Sequence, residues 1–163
     1  MSELKRILLV EDSPQDIELT LAALEEYKLA NEVVVARDGT EALDYLQRRG
    51  KFESREEGNP ALVLLDIKMP KVNGLEVLRI IRSDERLKMT PVVMLTSSHE
   101  EKDLVESYRL GVNAYVVKPV HFHEFVEAVK ELGVFWAVIN EAPPGSIRHK
   151  GVITAKPSKK VAT

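Results

Sequence analysis

The chain has no cysteine among its 163 residues. Disulfides, zinc–thiolate sites and thiol nucleophiles are therefore excluded, and any chemistry must come from oxygen and nitrogen groups. The absence also suits a reducing cytosol. The N-terminus, "MSELKRILLVED", offers only a four-residue apolar run before two acids. It is neither a secretory signal nor a membrane span, so a cytoplasmic protein with no membrane partner is expected. Positive charge is scarce over most of the length. Residues 142–163 hold five Lys or Arg and no acid, which leaves 18 basic against 26 acidic groups in residues 1–141, a net −8. A body that acidic is a poor general binder of nucleic acid, whose affinity comes mainly from phosphate contacts. Glycine is missing where a dinucleotide site would need it: the first apolar run is followed by "EDSPQD", whose carboxylates repel phosphates.

What is present suits one domain with a substantial core, at 44% hydrophobic content, followed by a tail. The boundary is expected near residue 140, with residues 141–163 a basic, mostly disordered tail carrying three prolines and no sustained period. Five apolar runs, "RILLV" (6–10), "EVVVA" (32–36), "ALVLL" (61–65), "PVVML" (91–95) and "NAYVVK" (113–118), read as strands. Four are nearly continuous in Val, Leu and Ile, as strands covered on both faces should be.

Helical periods fill the gaps. Ser13 can cap the first helix, with Pro14 at its first position and Asp16 three after the cap; Ile17, Leu21 and Leu24 then share a face. A second helix follows Asp38 and Gly39 with Ala42, Leu43 and Leu46 inward. A third follows Asn73 and Gly74 with Leu75, Leu78 and Ile81 inward. A thin helix over about 99–110 offers Leu104, Val105 and Tyr108 before Gly111, and the last runs from about 121 to 139. The charged segment 48–60 reads as a surface loop. Strict alternation of strand and helix predicts an α/β fold, a five-stranded parallel sheet with helices on both faces.

Ligands of such sheets bind outside the carboxyl ends of the strands. Those ends carry Glu11 and Asp12, Asp66, Thr96 and Ser97, and Lys118 before Pro119. Three carboxylates would gather around one ammonium. Two like charges ~4 Å apart repel by about 4 kcal/mol at an effective dielectric near ~20, and Lys118 can offset only one acid, so either a carboxylate takes a proton or a cation joins. Hard oxygen ligands without nearby His or Cys point to Mg²⁺. Asp66, fixed at the end of a buried strand, would serve as a nucleophile toward phosphorus, with Thr96 and Lys118 meeting the phosphoryl oxygens. Each residue also has a plainer role: Glu11 and Asp12 favouring a helix N-terminus, Asp66 ending a strand, Thr96 capping a helix, Lys118 solvated. Tyr115 is more often core or interface than switch. His121 and His123 suit capping or surface roles.

"ILLVEDS", "LVLLDIKMPKVNGLEVL", "VVMLTSS" and "GVNAYVVKP", in this order with Thr96 thirty and Lys118 fifty-two residues after Asp66, resemble the receiver domain of two-component response regulators over about residues 5–139. The resemblance implies a (βα)5 flavodoxin-like receiver fold in which Asp66 accepts a phosphoryl group from a sensor histidine kinase. It also implies Mg²⁺ held by Asp12 and Asp66, by Glu11 through water and by the backbone carbonyl of Lys68, and a cis peptide between Lys118 and Pro119. Thr96 and Tyr115 would form the switch. The protein would be a phosphoacceptor that assists its own Mg²⁺-dependent phosphorylation and dephosphorylation rather than an enzyme. The long loop before the third strand and the apolar end of the last helix resemble the small stand-alone regulators that partner bacterial phytochrome kinases.

Lys68, a cation two residues after the nucleophile, is expected with Ser98 to alter phosphate lifetime. Output is expected through protein contacts. "GVFWAVI" (133–139) exceeds what a core face needs, which favours a homodimer anchored by Phe135 and Trp136. Two rivals are a receiver-like scaffold that is never phosphorylated and a Mg²⁺-dependent phosphatase of the dehalogenase-like kind. The latter needs a second Asp where this chain has Lys68.

Overall fold

In the computed structural model, which describes residues 4–25, 32–97, 106, 109–112, 114–132, 146–149 and 152–155, the five apolar runs form one sheet. The strands are β1 (Leu4–Val10), β2 (Glu32–Ala36), β3 (Pro60–Asp66), β4 (Val92–Thr96) and β5 (Ala114–Val117). They pair in the order β2-β1-β3-β4-β5, and every pairing is parallel. The expected fold class is therefore observed.

Alternation explains why the runs are continuous. Successive side chains leave opposite faces of a strand, and here both faces are buried. Leu8 and Val10, Val63 and Leu65, Val92 and Met94 enter one core. Ile7 and Leu9, Leu62 and Leu64, Val93 and Leu95 enter the other. Helices α2 (Gly39–Gln47) and α3 (Gly74–Ser83) cover the first with Ala42, Leu43, Leu46, Val77, Leu78 and Ile81. Helices α1 (Pro14–Glu25) and α4 (Phe122–Leu132) cover the second with Ile17, Leu24, Phe125, Ala128 and Val129. On α3, Val77 rather than Leu75 is the third fully buried side chain; Leu75 is only partly buried.

Helix starts follow local chemistry. The Asp38 side chain accepts from Glu41 N–H at the start of α2, and Asn73 accepts from Glu76 N–H at the start of α3. Segment 48–60 is a connection, as expected, but a built one. A 3₁₀ turn at Gly50–Phe52 sets Phe52 edge-on to Tyr45, with ring centroids 5.2 Å apart. The Arg55 guanidinium lies 4.3 Å over the Tyr45 ring.

Of the helix expected over 99–110, Glu106 and Arg109 are helical and most of the rest lies outside the described residues. The same holds for residues 133–139, including Phe135 and Trp136, and for Ser98 and Asn113. The stretch read as a mostly disordered tail contains two strands, β6 (Ser146–His149) and β7 (Val152–Ala155), paired antiparallel. Only two residues, Lys150 and Gly151, separate them in the sequence, a spacing that two-residue hairpins use.

Candidate functional site

Strand ends carry the site because each strand stops being apolar there. Glu11 and Asp66 share the alternation of Ile7, Leu9, Leu62 and Leu64, so both belong to the sheet face covered by α1 and α4. Glu11 is fully buried and Asp66 is 4% exposed. Asp12, the next residue, is exposed. One oxygen from each of Glu11, Asp12 and Asp66 lies within 4.8 Å of the others, as the strand-end reading requires.

Lys118 follows β5 and reaches across the sheet. Its Nζ lies 2.9 Å from Glu11 Oε1, 3.0 Å from Asp16 Oδ2 and 3.4 Å from Asp66 Oδ2, with 9% of its side chain exposed. Burial alone would lower the lysine's pKa, but the hydrogen bonds to Glu11 and Asp16 and the charge of Asp66 outweigh it and raise it. Lys118 is held as a cation. It touches three acids, yet its single positive charge still offsets only one of them, as expected. The third is Asp16 rather than Asp12.

Asp16 is the site residue that sequence reading assigned to another task. Its N–H donates to Ser13 Oγ at 3.2 Å, as a cap predicts. Its carboxylate, however, accepts from Lys118 instead of returning to Ser13, whose N–H donates to Glu11 Oε2 at 3.2 Å. A Ser-Pro-x-Asp start reads equally as a cap or as a site.

Asp66 bears the cost of the crowding. Burial first, and then the charge of Glu11, push its carboxyl up from 3.8 to about 7, against the opposing pull of Lys118. Four acids, Glu11, Asp12, Asp16 and Asp66, and one ammonium do not balance here, which is the condition under which a divalent cation fits. Glu11, Asp12 and Asp66 supply oxygen donors only, the kind that hard cations take.

Glycine 74 keeps the loop after Asp66 close. A Cβ there would lie 2.1 Å from the Asp66 carbonyl oxygen, and Gly74 N–H donates to Ile67 O at 2.8 Å. Lys68 sits in that loop, exposed. Lys71 adopts φ 66° and pairs with Asp38 at 3.3 Å; Asp38 is held below the usual carboxylate range mainly by the Glu41 N–H. On β4, Thr96 is 4% exposed, and its carbonyl accepts from Lys118 N–H at 2.7 Å. Thr96 shares the alternation of Val92 and Met94, and Met94 stands opposite Tyr115 in the register. Tyr115, partly buried, packs on the same core. The Lys118–Pro119 peptide is cis, as the resemblance implied.

An open parallel sheet that gathers carboxylates and one lysine at its strand ends defines a doubly wound α/β protein with an acidic strand-end site. More specifically, the chain belongs to the response regulator receiver domain family, which matches residues 7–130. Among solved structures it resembles the bacteriophytochrome response regulator AtBRR, at 65% identity and TM-score 0.78, over 85% of this chain and 99% of that one. It is 42% identical to the phosphorylated cyanobacterial phytochrome response regulator RcpA, TM-score 0.68, over 82% of this chain and 94% of that one. Response regulator Rcp1 of Synechocystis sp. is 40% identical over 132 residues, 81% of this chain and 88% of the relative. A Mn²⁺-bound form of response regulator Rcp1, 39% identical with TM-score 0.67, covers 81% of this chain and 94% of that one.

Proposed function

We propose that this response regulator accepts a phosphoryl group on Asp66 from the phosphohistidine of a sensor kinase, and that the kinase is a bacterial phytochrome. The observation that carries the phosphoacceptor role is the Asp66 carboxyl, buried at a strand end beside Glu11 and 3.4 Å from the Lys118 ammonium. The 65% identity to AtBRR over 99% of that chain supports the phytochrome partner.

In the transfer, an Asp66 oxygen bonds to phosphorus, the phosphorus–nitrogen bond breaks, and its electron pair returns to the imidazole, which takes up a proton. A bound Mg²⁺ would supply charge neutralisation for the phosphoryl oxygens, held by Glu11, Asp12, Asp66 and the Lys68 carbonyl. The chain's own contribution is positional. Lys118, fixed by Glu11 and Asp16, presents a permanent positive charge to the new group, which adds about −1.5 to −2. Thr96 turns its hydroxyl to a phosphoryl oxygen, and Tyr115, on the same sheet face, follows into the space it leaves. Lys68 sets how readily water reaches the aspartyl phosphate. The message leaves through protein contacts, with a homodimer anchored by Phe135 and Trp136. The protein's setting is the cytoplasm, where sensor kinases transfer their phosphoryl groups; among the described residues no helix is long and apolar enough to cross a membrane.

The test is incubation with acetyl phosphate and Mg²⁺ followed by intact mass. One stable added phosphoryl group, lost in Asp66→Asn, is expected. Steady release of free phosphate without a protein-bound species would mean a phosphatase, and labelling that persists in Asp66→Asn would place the acceptor elsewhere. Light-dependent transfer from a phytochrome kinase tests the partner, and sedimentation of the phosphorylated and unphosphorylated chain tests the dimer.

A further inference from the structure

At the opposite end of the sheet three arginines line one cavity. Its volume of about 60 Å³, several times the ~10–15 Å³ that one water needs, opens at the N-terminal end of β3, between the connection that follows α2 and the turn that follows α3. Arg48, Arg55, Arg86, Asn59 and Glu57 provide its polar lining. Three arginines and one glutamate thus belong to its lining.

Arg55 is fixed and has no carboxylate partner among the described residues. Its Nε donates to Tyr45 O at 2.7 Å, and Nη1 donates to Glu56 O at 2.6 Å and Gly58 O at 3.1 Å. Its charge is therefore met by carbonyl dipoles and by the face of the Tyr45 ring. Burial first lowers its pKa, with smaller contributions from the positive charges of Arg48 and Arg6 and an opposing pull from Tyr45. Arg48 occupies the left-handed region, φ 56° and ψ 54°, at the end of α2. That conformation costs an L residue roughly 1 kcal/mol or more, and glycine is the relaxed choice there. The strained position brings a guanidinium to the cavity. Its only carboxylate contact among the described residues is Glu57, at 3.5 Å, and Glu57 is 66% exposed. Across the cavity, Asn59 Nδ2 donates to Arg86 O at 2.6 Å, tying the loop to the turn that carries Arg86.

We propose that this cavity binds a small oxyanion, a phosphate or a carboxylate, between Arg48 and Arg86, with Arg55 as a fixed positive charge and Glu57 as the side chain displaced. Guanidinium forks match both oxyanions. An anion here bridges the connection after α2 to the end of α3, so binding stabilises the fold. The site is independent of phosphoryl transfer at Asp66.

The test follows arginine Nε–Hε resonances of the full chain in EDTA, titrated with inorganic phosphate, succinate or chloride at matched ionic strength. Saturable shifts at Arg48 and Arg55 with phosphate identify a phosphate site; with succinate, a carboxylate site. Either supports the inference. Affinity is expected to fall about tenfold, the loss of one charge-assisted contact, in both Arg86→Ala and Arg48→Gly. Arg48→Gly keeps the left-handed backbone, so its thermal midpoint should not fall. Shifts equal to those with chloride, shifts that never saturate, or unchanged affinity in Arg86→Ala would overturn the proposal.

Discussion

Burying Asp66 beside Glu11 sets a pH dependence whose sign can be worked out. The carboxyl titrates near ~3.9 in an unfolded chain and is raised to about 7 in the fold, first by burial and then by Glu11. A raised carboxyl pKa contributes stability that is fully present below the unfolded value and is lost as pH climbs through about 7. Asp66→Asn removes that loss. In magnesium-free solution the variant should melt higher than the parent around pH 8, by at least the ~2 °C that about 1 kcal/mol gives a domain this size, and the gain should shrink towards pH 4. Calorimetry at both pH values checks it, and an equal gain at both would exclude ionisation as the cause. The strand-end acids and Lys118 were legible in the sequence because a buried run that stops on a charge locates that charge in space. Asp16 was not, since its partner lies 102 residues away and its local spacing already fitted a helix cap.

Whole elements depend on a few backbone approaches, and α3 is the clearest. Its first residue, Gly74, leaves no room for a Cβ against the Asp66 carbonyl. Gly74→Ala should push the helix start away from the site, lowering stability by roughly 1–3 kcal/mol in urea unfolding and weakening Mg²⁺ binding together. Asn73→Ala removes only the cap on Glu76 N–H, so it should cost about 1 kcal/mol with little change in Mg²⁺ affinity. If both variants bind Mg²⁺ like the parent, the helix start does not position the loop. The five strands were legible because alternation feeds two cores, and β2 has the residues the sequence reading assigned. Gly74 was legible only as a helix start; its close approach to Asp66 is tertiary. The stacking of Arg55 on Tyr45 was hidden because a charged loop sequence does not reveal which arginine turns inward. Two four-residue strands, β6 and β7, were missed because their short apolar stretches sit among the prolines and lysines of a segment that reads as unstructured.

At the scale of the molecule, the acids gathered at the carboxyl end of the sheet come together only in the folded chain, so cation binding there couples to stability of the whole fold. A ligand that binds only the folded chain adds RT ln(1 + [L]/Kd), about 2.7 kcal/mol at a hundredfold excess over Kd. Two neighbouring acids separate the routes by which that coupling could run. Asp12 shares the oxygen cluster with Glu11 and Asp66, whereas the described ion pair of Asp16 is with Lys118. Both variants should fold, because Asp12 is exposed and the Asp16 side chain is 33% exposed. Asp12→Asn should therefore abolish most of the Mg²⁺-induced rise in thermal midpoint, while Asp16→Asn should lower the midpoint without Mg²⁺ and keep most of the rise. Differential scanning fluorimetry with and without millimolar MgCl₂ distinguishes them. The reverse pattern would mean that the cation sits between Asp16 and Lys118, and that the lysine is a competitor for the metal rather than a fixed charge awaiting the phosphoryl group.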